Sequence, residues 1–181
     1  MMDALTLHRL LVDAGVRHEI IHLHNSISSA DQLPTVLELS SKRCLAVRMY
    51  EADGPGREPA LVAVVVWAGR VPATSELRRI TGRERVRGAM EYTVNEATGY
   101  AAGLVSPLAL PDTVEIYADE DVVSGLDHDM VVYTATGEPR TALGIRLLDL
   151  FALCPAKPAA LGVIGPAPAQ GMPRGEIHAA P

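Results

Sequence analysis

Residues 60–68, Ala-Leu-Val-Ala-Val-Val-Val-Trp-Ala, carry neither a charge nor a hydrogen-bonding aliphatic side chain, and this run narrows the available folds more than any other stretch. A strand exposed on one face alternates apolar and polar residues, whereas a strand covered on both faces does not. The run is about half of the ~20 residues that a bilayer span needs. It therefore predicts a central strand, over residues 60–67, inside a sheet that other layers cover on both sides.

The rest of the chain supplies those layers. Leu5, Leu7, Leu10, Leu11 and Ala14 recur near helical spacing, and Gly15 follows as a stop, predicting an amphipathic helix over residues 3–14. Residues 18–23 alternate as a strand, with His18, His22 and His24 along one face. Three imidazoles on one face raise the question of zinc, but no carboxylate or Cys nearby completes the coordination sphere, so no metal site is expected. Ser28 or Ser29 can cap a short helix reaching about Leu39, with Pro34 in its first turn. Residues 45–51 form a second strand, joined to the central one by a long turn over residues 52–59. Thr74 or Ser75 caps a helix ending at Gly82, and Thr93 caps another that runs into Gly99. Short strands are expected at residues 86–90, 113–117, 130–134 and 142–147, and a last helix from Asp149 to Leu153.

With 181 residues and 48% hydrophobic content, a single domain with a substantial core is expected. Asp3, His8 and Arg9 interrupt any apolar leader, which points to a cytoplasmic protein without membrane attachment. Cys44 and Cys154 read as reduced thiols. A net charge of −6 argues against a general nucleic-acid binder, yet the charge is unevenly placed. Arg70, Arg78, Arg79, Arg83, Arg85 and Arg87 stand against only Glu76 and Glu84, whereas residues 112–129 hold seven acids and no Lys or Arg. Such a dipolar surface can steer a polyanion to one face. After Cys154, Pro155, Pro158, Pro166, Pro168, Pro173 and Pro181 punctuate an Ala- and Gly-rich tail, so residues 1–154 are expected to form the domain and 155–181 a mostly irregular extension. A short pairing segment around residues 161–164 remains open. No Ser/His/Asp set presents itself, and His128 reads as a surface polar residue.

Residues 97–108, Ala-Thr-Gly-Tyr-Ala-Ala-Gly-Leu-Val-Ser-Pro-Leu, describe a loop whose backbone can approach a ligand closely. Thr98, Gly99, Tyr100, Gly103, Val105, Ser106, Pro107 and Leu108 match the signature loop of the YbaK and prolyl-tRNA-synthetase-associated domain family, which the chain resembles in motif order over about residues 4–154. Residues 15–21, 43–48, 116–119 and 132–137, and Asp149-Leu150, fall in the family's order.

The resemblance implies an α/β (α+β) fold: one domain, with a mixed, largely antiparallel curved sheet flanked by helices. It implies an aminoacyl-tRNA deacylase that hydrolyses the ester of mischarged tRNA in trans, with no cofactor and no metal. Alternatively, the chain is a catalytically altered relative that binds an amino acid, a nucleotide or a charged tRNA end. The family lysine aligns without a gap to Arg43, and a one-residue slip restores Lys42; one of these is the expected catalytic cation. Gly99, Tyr100, Gly103, Ser106, Pro107, Asp119 and Gly137 are the expected substrate-binding residues, and the six arginines of residues 70–87 the expected contacts to the tRNA 3′ end. Arg cannot replace Lys as a proton-transfer group, so this departure bears directly on the chemistry.

Overall fold

A computed structural model describes residues 1–124, 127 and 129–166. The central strand is where the apolar run places it. Strand β1 spans His18–His22, β2 Leu45–Gly54, β3 Arg57–Trp67 and β4 Arg70–Pro72; β5 spans Arg85–Gly88, β6 Val114–Asp119, β7 Val131–Ala135, β8 Thr141–Arg146, β9 Lys157–Ala159 and β10 Val163–Pro166. The largest sheet has the order β5-β2-β3-β6-β9, with β3 in the middle. Val62, Val64 and Val66 pack into one core and Ala63, Val65 and Trp67 into another. Residues 62–66 are at most 1% exposed.

Helix α1 is Ala4–Asp13, α2 Leu33–Val36, α3 Thr74–Thr81, α4 Glu91–Thr98, α5 Glu120–Val123 and α6 Leu147–Leu153. Leu77 of α3 belongs to the core on the face of Val62 and Val64. Leu7 and Leu11 of α1, with Leu147 and Leu150 of α6, pack on the opposite side. The single domain is thus mixed α/β with helical cover, as expected. Its curved sheet divides into three: the five-stranded sheet, β1-β8-β7, and the pair β10-β4. A parallel bridge from Cys44 to Tyr133 links the first two. Pairing is antiparallel except for β3 with β6 and β6 with β9.

Several expectations change in detail. The long turn over residues 52–59 shrinks to a Pro55-Gly56 tip, because β2 and β3 go on pairing, through a register shift after Ala52, to the pair Gly54 and Arg57. Gly56 has a φ of +69°, the left-handed value that glycine supplies after Pro in a tight turn. Neither Thr74 nor Thr93 is a cap; Ala73 and Met90 hold those positions without side-chain hydrogen bonds. The tail after Cys154 contributes β9 and β10, both on sheet margins where Pro158 and Pro166 cost no interior ladder bond. The remainder of the expected tail and His128 lie outside the described residues. Among the described residues, no helix is long and apolar enough to cross a membrane.

Candidate functional site

The site is built where β2 lacks a neighbour. Strand β5 pairs with β2 only between Tyr50 and Asp53, and the Cys44 bridge closes the other end. The Ala89 N–H donates to the Met49 carbonyl at 2.9 Å. Main-chain groups along a strand alternate sides, so the Val47 N–H and C=O turn to this same open edge. A cavity of about 160 Å³ lies there, lined by residues 46–50 of β2, Gly88 at the end of β5 and Ala89 after it, Glu91 and Val94 of α4, Val71 of β4, Ser29, and Ala102 and Gly103.

The glycine-rich loop forms its edge. Gly99 ends α4 with a φ of +74°, its N–H donating to Asn95 O at 3.0 Å. The Asn95 side chain then accepts from Ala102 N–H at 2.7 Å, folding the loop back over its own helix. Gly103 has a φ of +81°, and a Cβ there would stand 2.5 Å from the Ser28 carbonyl. That close approach lets Ala30 N–H donate to Gly103 O at 2.9 Å. The facing turn is held by a capping box, in which Ser29 and Gln32 satisfy each other's backbone groups.

Among the described residues, the one cation on the lining is Arg48. Its Nη2 donates to Asp31 Oδ1 at 2.6 Å and its Nε to Arg70 O at 3.1 Å, leaving Nη1 without a hydrogen-bond partner among the described residues. Tyr50 also lines the cavity, and burial pushes its phenol up to about 12, so it remains a neutral O–H donor at physiological pH. Glu91, in the exposed first turn of α4, is the carboxylate of the wall.

Of the residues named from sequence, Gly103 alone lines this cavity. Gly99 packs against Met2, and Gly137, at a φ of +96°, lies against the Met2 carbonyl and the Tyr100 ring. Tyr100 is 1% exposed and donates through its hydroxyl to Leu108 O at 2.7 Å; Ser106 is fully buried and accepts from Leu108 N–H. These residues pack behind the loop and do not line this cavity. Pro107 lines a separate apolar groove with Leu10, Ala14 and Ile116. Asp119 caps α5, accepting from Asp121 N–H, and faces another hollow with Arg70.

The two expected cations stand elsewhere. Lys42 is exposed in a 3-10 turn, Ser41–Arg43. Arg43 turns toward the smaller sheet, donating through Nε to Val131 O at 3.1 Å and lying 5.9 Å from the Tyr133 ring centroid. Arg48, Tyr50, Ser29 and Glu91 line the cavity without having been named as site residues from the sequence. A signal for Arg48 existed: it is the one charged residue within the otherwise uncharged run 44–50 that leads into and opens β2. Among the described residues, no three His, Cys, Asp or Glu converge as a metal centre would require, and His18 instead bonds His8 at 2.8 Å.

The expected RNA-facing arginines are largely engaged. Arg79 pairs with Glu76, Arg83 with Glu115, Arg85 with Asp53 and Arg87 with Glu51. Arg78 joins Arg85 and Arg87 around a hollow beside β5 that also contains Glu51, Asp53 and Glu84.

Comparison with known proteins identifies the class. The family profile of the aminoacyl-tRNA editing domain matches residues 24–153, and the chain belongs to that family. The fold is similar to that of the hypothetical protein APE2540, at a TM-score of 0.70 and 20% identity over 86% of this chain and 97% of that one. It is also similar to a proposed trans-editing enzyme for prolyl tRNA synthetase, at a TM-score of 0.64 and 23% identity over 80% of this chain and 85% of that one. No curated protein sequence matches at a significant level.

Proposed function

We propose that the chain hydrolyses the ester of mischarged tRNA, and that the aminoacyl end enters the cavity beneath the glycine-rich loop. The observation that carries this reading is Arg48 on the lining of that cavity, with Nη1 left without a hydrogen-bond partner among the described residues, in a chain of the editing-domain family. Ester hydrolysis is acyl transfer to water, and the barrier falls when fixed donors meet the carbonyl oxygen as it becomes an oxyanion. Arg48 Nη1 and the Val47 N–H are such donors on the open edge of β2. A guanidinium serves as a fixed donor and not as a proton-transfer group. Proton removal from the attacking water therefore falls to Glu91 or to a hydroxyl of the substrate's own ribose.

The tRNA 3′ end approaches along β5, since Gly88 at its end lines the cavity and Arg85 and Arg87 precede it. Their ion pairs with Asp53 and Glu51 are exposed on the arginine side, and such pairs are worth about 0–1 kcal/mol. A phosphate can displace the carboxylate at little cost.

A panel of mischarged tRNAs tests the assignment. Arg48→Ala is expected to lower deacylation by about 10²–10³-fold, the usual cost of one oxyanion donor. Lys42→Ala and Arg43→Ala are expected to stay near the parent rate, and a large loss in either would return the catalytic role to that residue. The second reading, binding without cleavage, is favoured by the arginine at the family lysine position. Under it, an unreactive aminoacyl-adenosine analogue binds while no tRNA in the panel is turned over.

A further inference from the structure

The carboxylate that meets Arg48 stands on a different element, and its contacts exceed those of a simple ion pair. Asp31 Oδ1 accepts from Arg48 Nη2 at 2.6 Å and from Gly69 N–H at 2.7 Å. Asp31 Oδ2 lies 3.3 Å from the Ser29 hydroxyl, whose oxygen accepts from Asp31 N–H. The hairpin bend after β3 that offers Gly69 N–H also offers the Arg70 carbonyl to Arg48 Nε. The next residue toward the loop, Ala30, donates to Gly103 O. One four-residue turn thus ties down β2 and the glycine-rich loop, which line the cavity, and the β3–β4 bend, which leads into Val71 on the same lining.

We propose that Asp31 is the positioning residue of the site, holding the Arg48 guanidinium in the one orientation that leaves Nη1 free for the substrate ester; this rests on the assignment of Arg48 above. A long arginine side chain has several rotatable bonds, and ordering them is what a fixed acceptor on each of two nitrogens accomplishes. The Arg48 and Asp31 side chains are 11% and 21% exposed, so water competes weakly for their bond. Asp31 touches no reacting atom. Its effect belongs to the transition state, where a misaligned donor is lost, and much less to substrate affinity.

The experiment compares the full chain with Asp31→Asn and Asp31→Glu. The Asn variant keeps an acceptor for Gly69 N–H but loses the charge that pins Arg48; its fold is checked by circular dichroism and thermal melting. Expected for Asp31→Asn is at least a tenfold lower kcat with KM within twofold, and partial recovery in Asp31→Glu. In parallel, ¹⁵N-edited NMR of arginine side chains should show separate, slowly exchanging Arg48 Nη–H signals in the parent that collapse by rotational averaging in Asp31→Asn. An unchanged kcat in a folded Asp31→Asn variant overturns the proposal, as does a loss of kcat with the Arg48 signals still resolved. If no tRNA is deacylated by the parent, the deacylase reading fails by itself. The NMR comparison then decides the positioning claim alone: collapse supports it and unchanged signals overturn it.

Discussion

Arg48 and Arg43 are five residues apart and have opposite fates, and the difference is one of strand parity. On β2, Leu45 and Val47 enter the core beneath α1, while Ala46, Arg48 and Tyr50 project from the other face. Arg43 precedes the strand and is captured by the Val131 carbonyl. Arg48→Lys keeps a charge but loses the two-acceptor fork, so deacylation should fall nearly as far as in Arg48→Ala; a rate close to the parent's would show that charge alone suffices. Gly103 is constrained by its φ of +81° and by the Ser28 carbonyl. Gly103→Ala should cost about 1–3 kcal/mol of unfolding free energy, measured by urea denaturation, and should lower activity by moving the cavity edge. The thiols are bystanders. Burial raises Cys44 and Cys154 to about 11, so iodoacetamide at neutral pH should label neither in the folded chain and both in urea, as read by mass spectrometry.

At the scale of elements, the site depends on how short β5 is. Its four residues leave residues 46–49 of β2 paired with β3 on one edge but without a strand partner on the other, and these residues line the cavity. The opposite rim depends on the capping box at Ser29 and Gln32, a local device readable from the sequence in part. Ser29→Ala should cost about 1 kcal/mol in stability. It also removes a hydrogen bond to Asp31, so kcat should fall by more than the stability loss predicts; an activity that tracks the folded fraction alone would refute that coupling. The glycine stops were legible because their chemistry is local. Gly82 and Gly99 end α3 and α4 in the left-handed conformation, as their places after polar helical segments implied. The caps at Thr74 and Thr93 were misplaced by one to three residues because threonine also serves inside a helix: Thr98 and Thr81 back-bond to the carbonyls of Val94 and Leu77.

For the whole molecule, charge is organised by pairing more than by composition. The arginine-rich segment appeared in sequence as an exposed cationic patch, but antiparallel pairing sets Arg85 opposite Asp53 and Arg87 opposite Glu51. Deacylation by an Arg78→Ala, Arg85→Ala, Arg87→Ala triple variant should therefore show a higher KM, with a shallower dependence on salt than the parent's. Asp119 provides a pH-dependent check. Burial raises its folded-state pKa above the usual carboxylate range, so the fold favours the protonated form. Its contribution to stability is greatest below the unfolded pKa and declines as pH rises through the raised folded value. Asp119→Asn, which keeps the cap, should melt higher than the parent at pH 7, with the difference vanishing below about pH 4.

By itself the sequence determined the buried central strand, the order of helices and strands, the glycine stops and the family. Each follows from periodicity or from a backbone conformation that few residues tolerate. It was nearly silent on β9 and β10, whose prolines read as irregular chain until β6 and β4 supplied partners. Only the tertiary structure decided which cation faces the cavity. That choice depends on which strand edge is left open and on Asp31, a residue 17 positions away that meets Arg48 through folding alone.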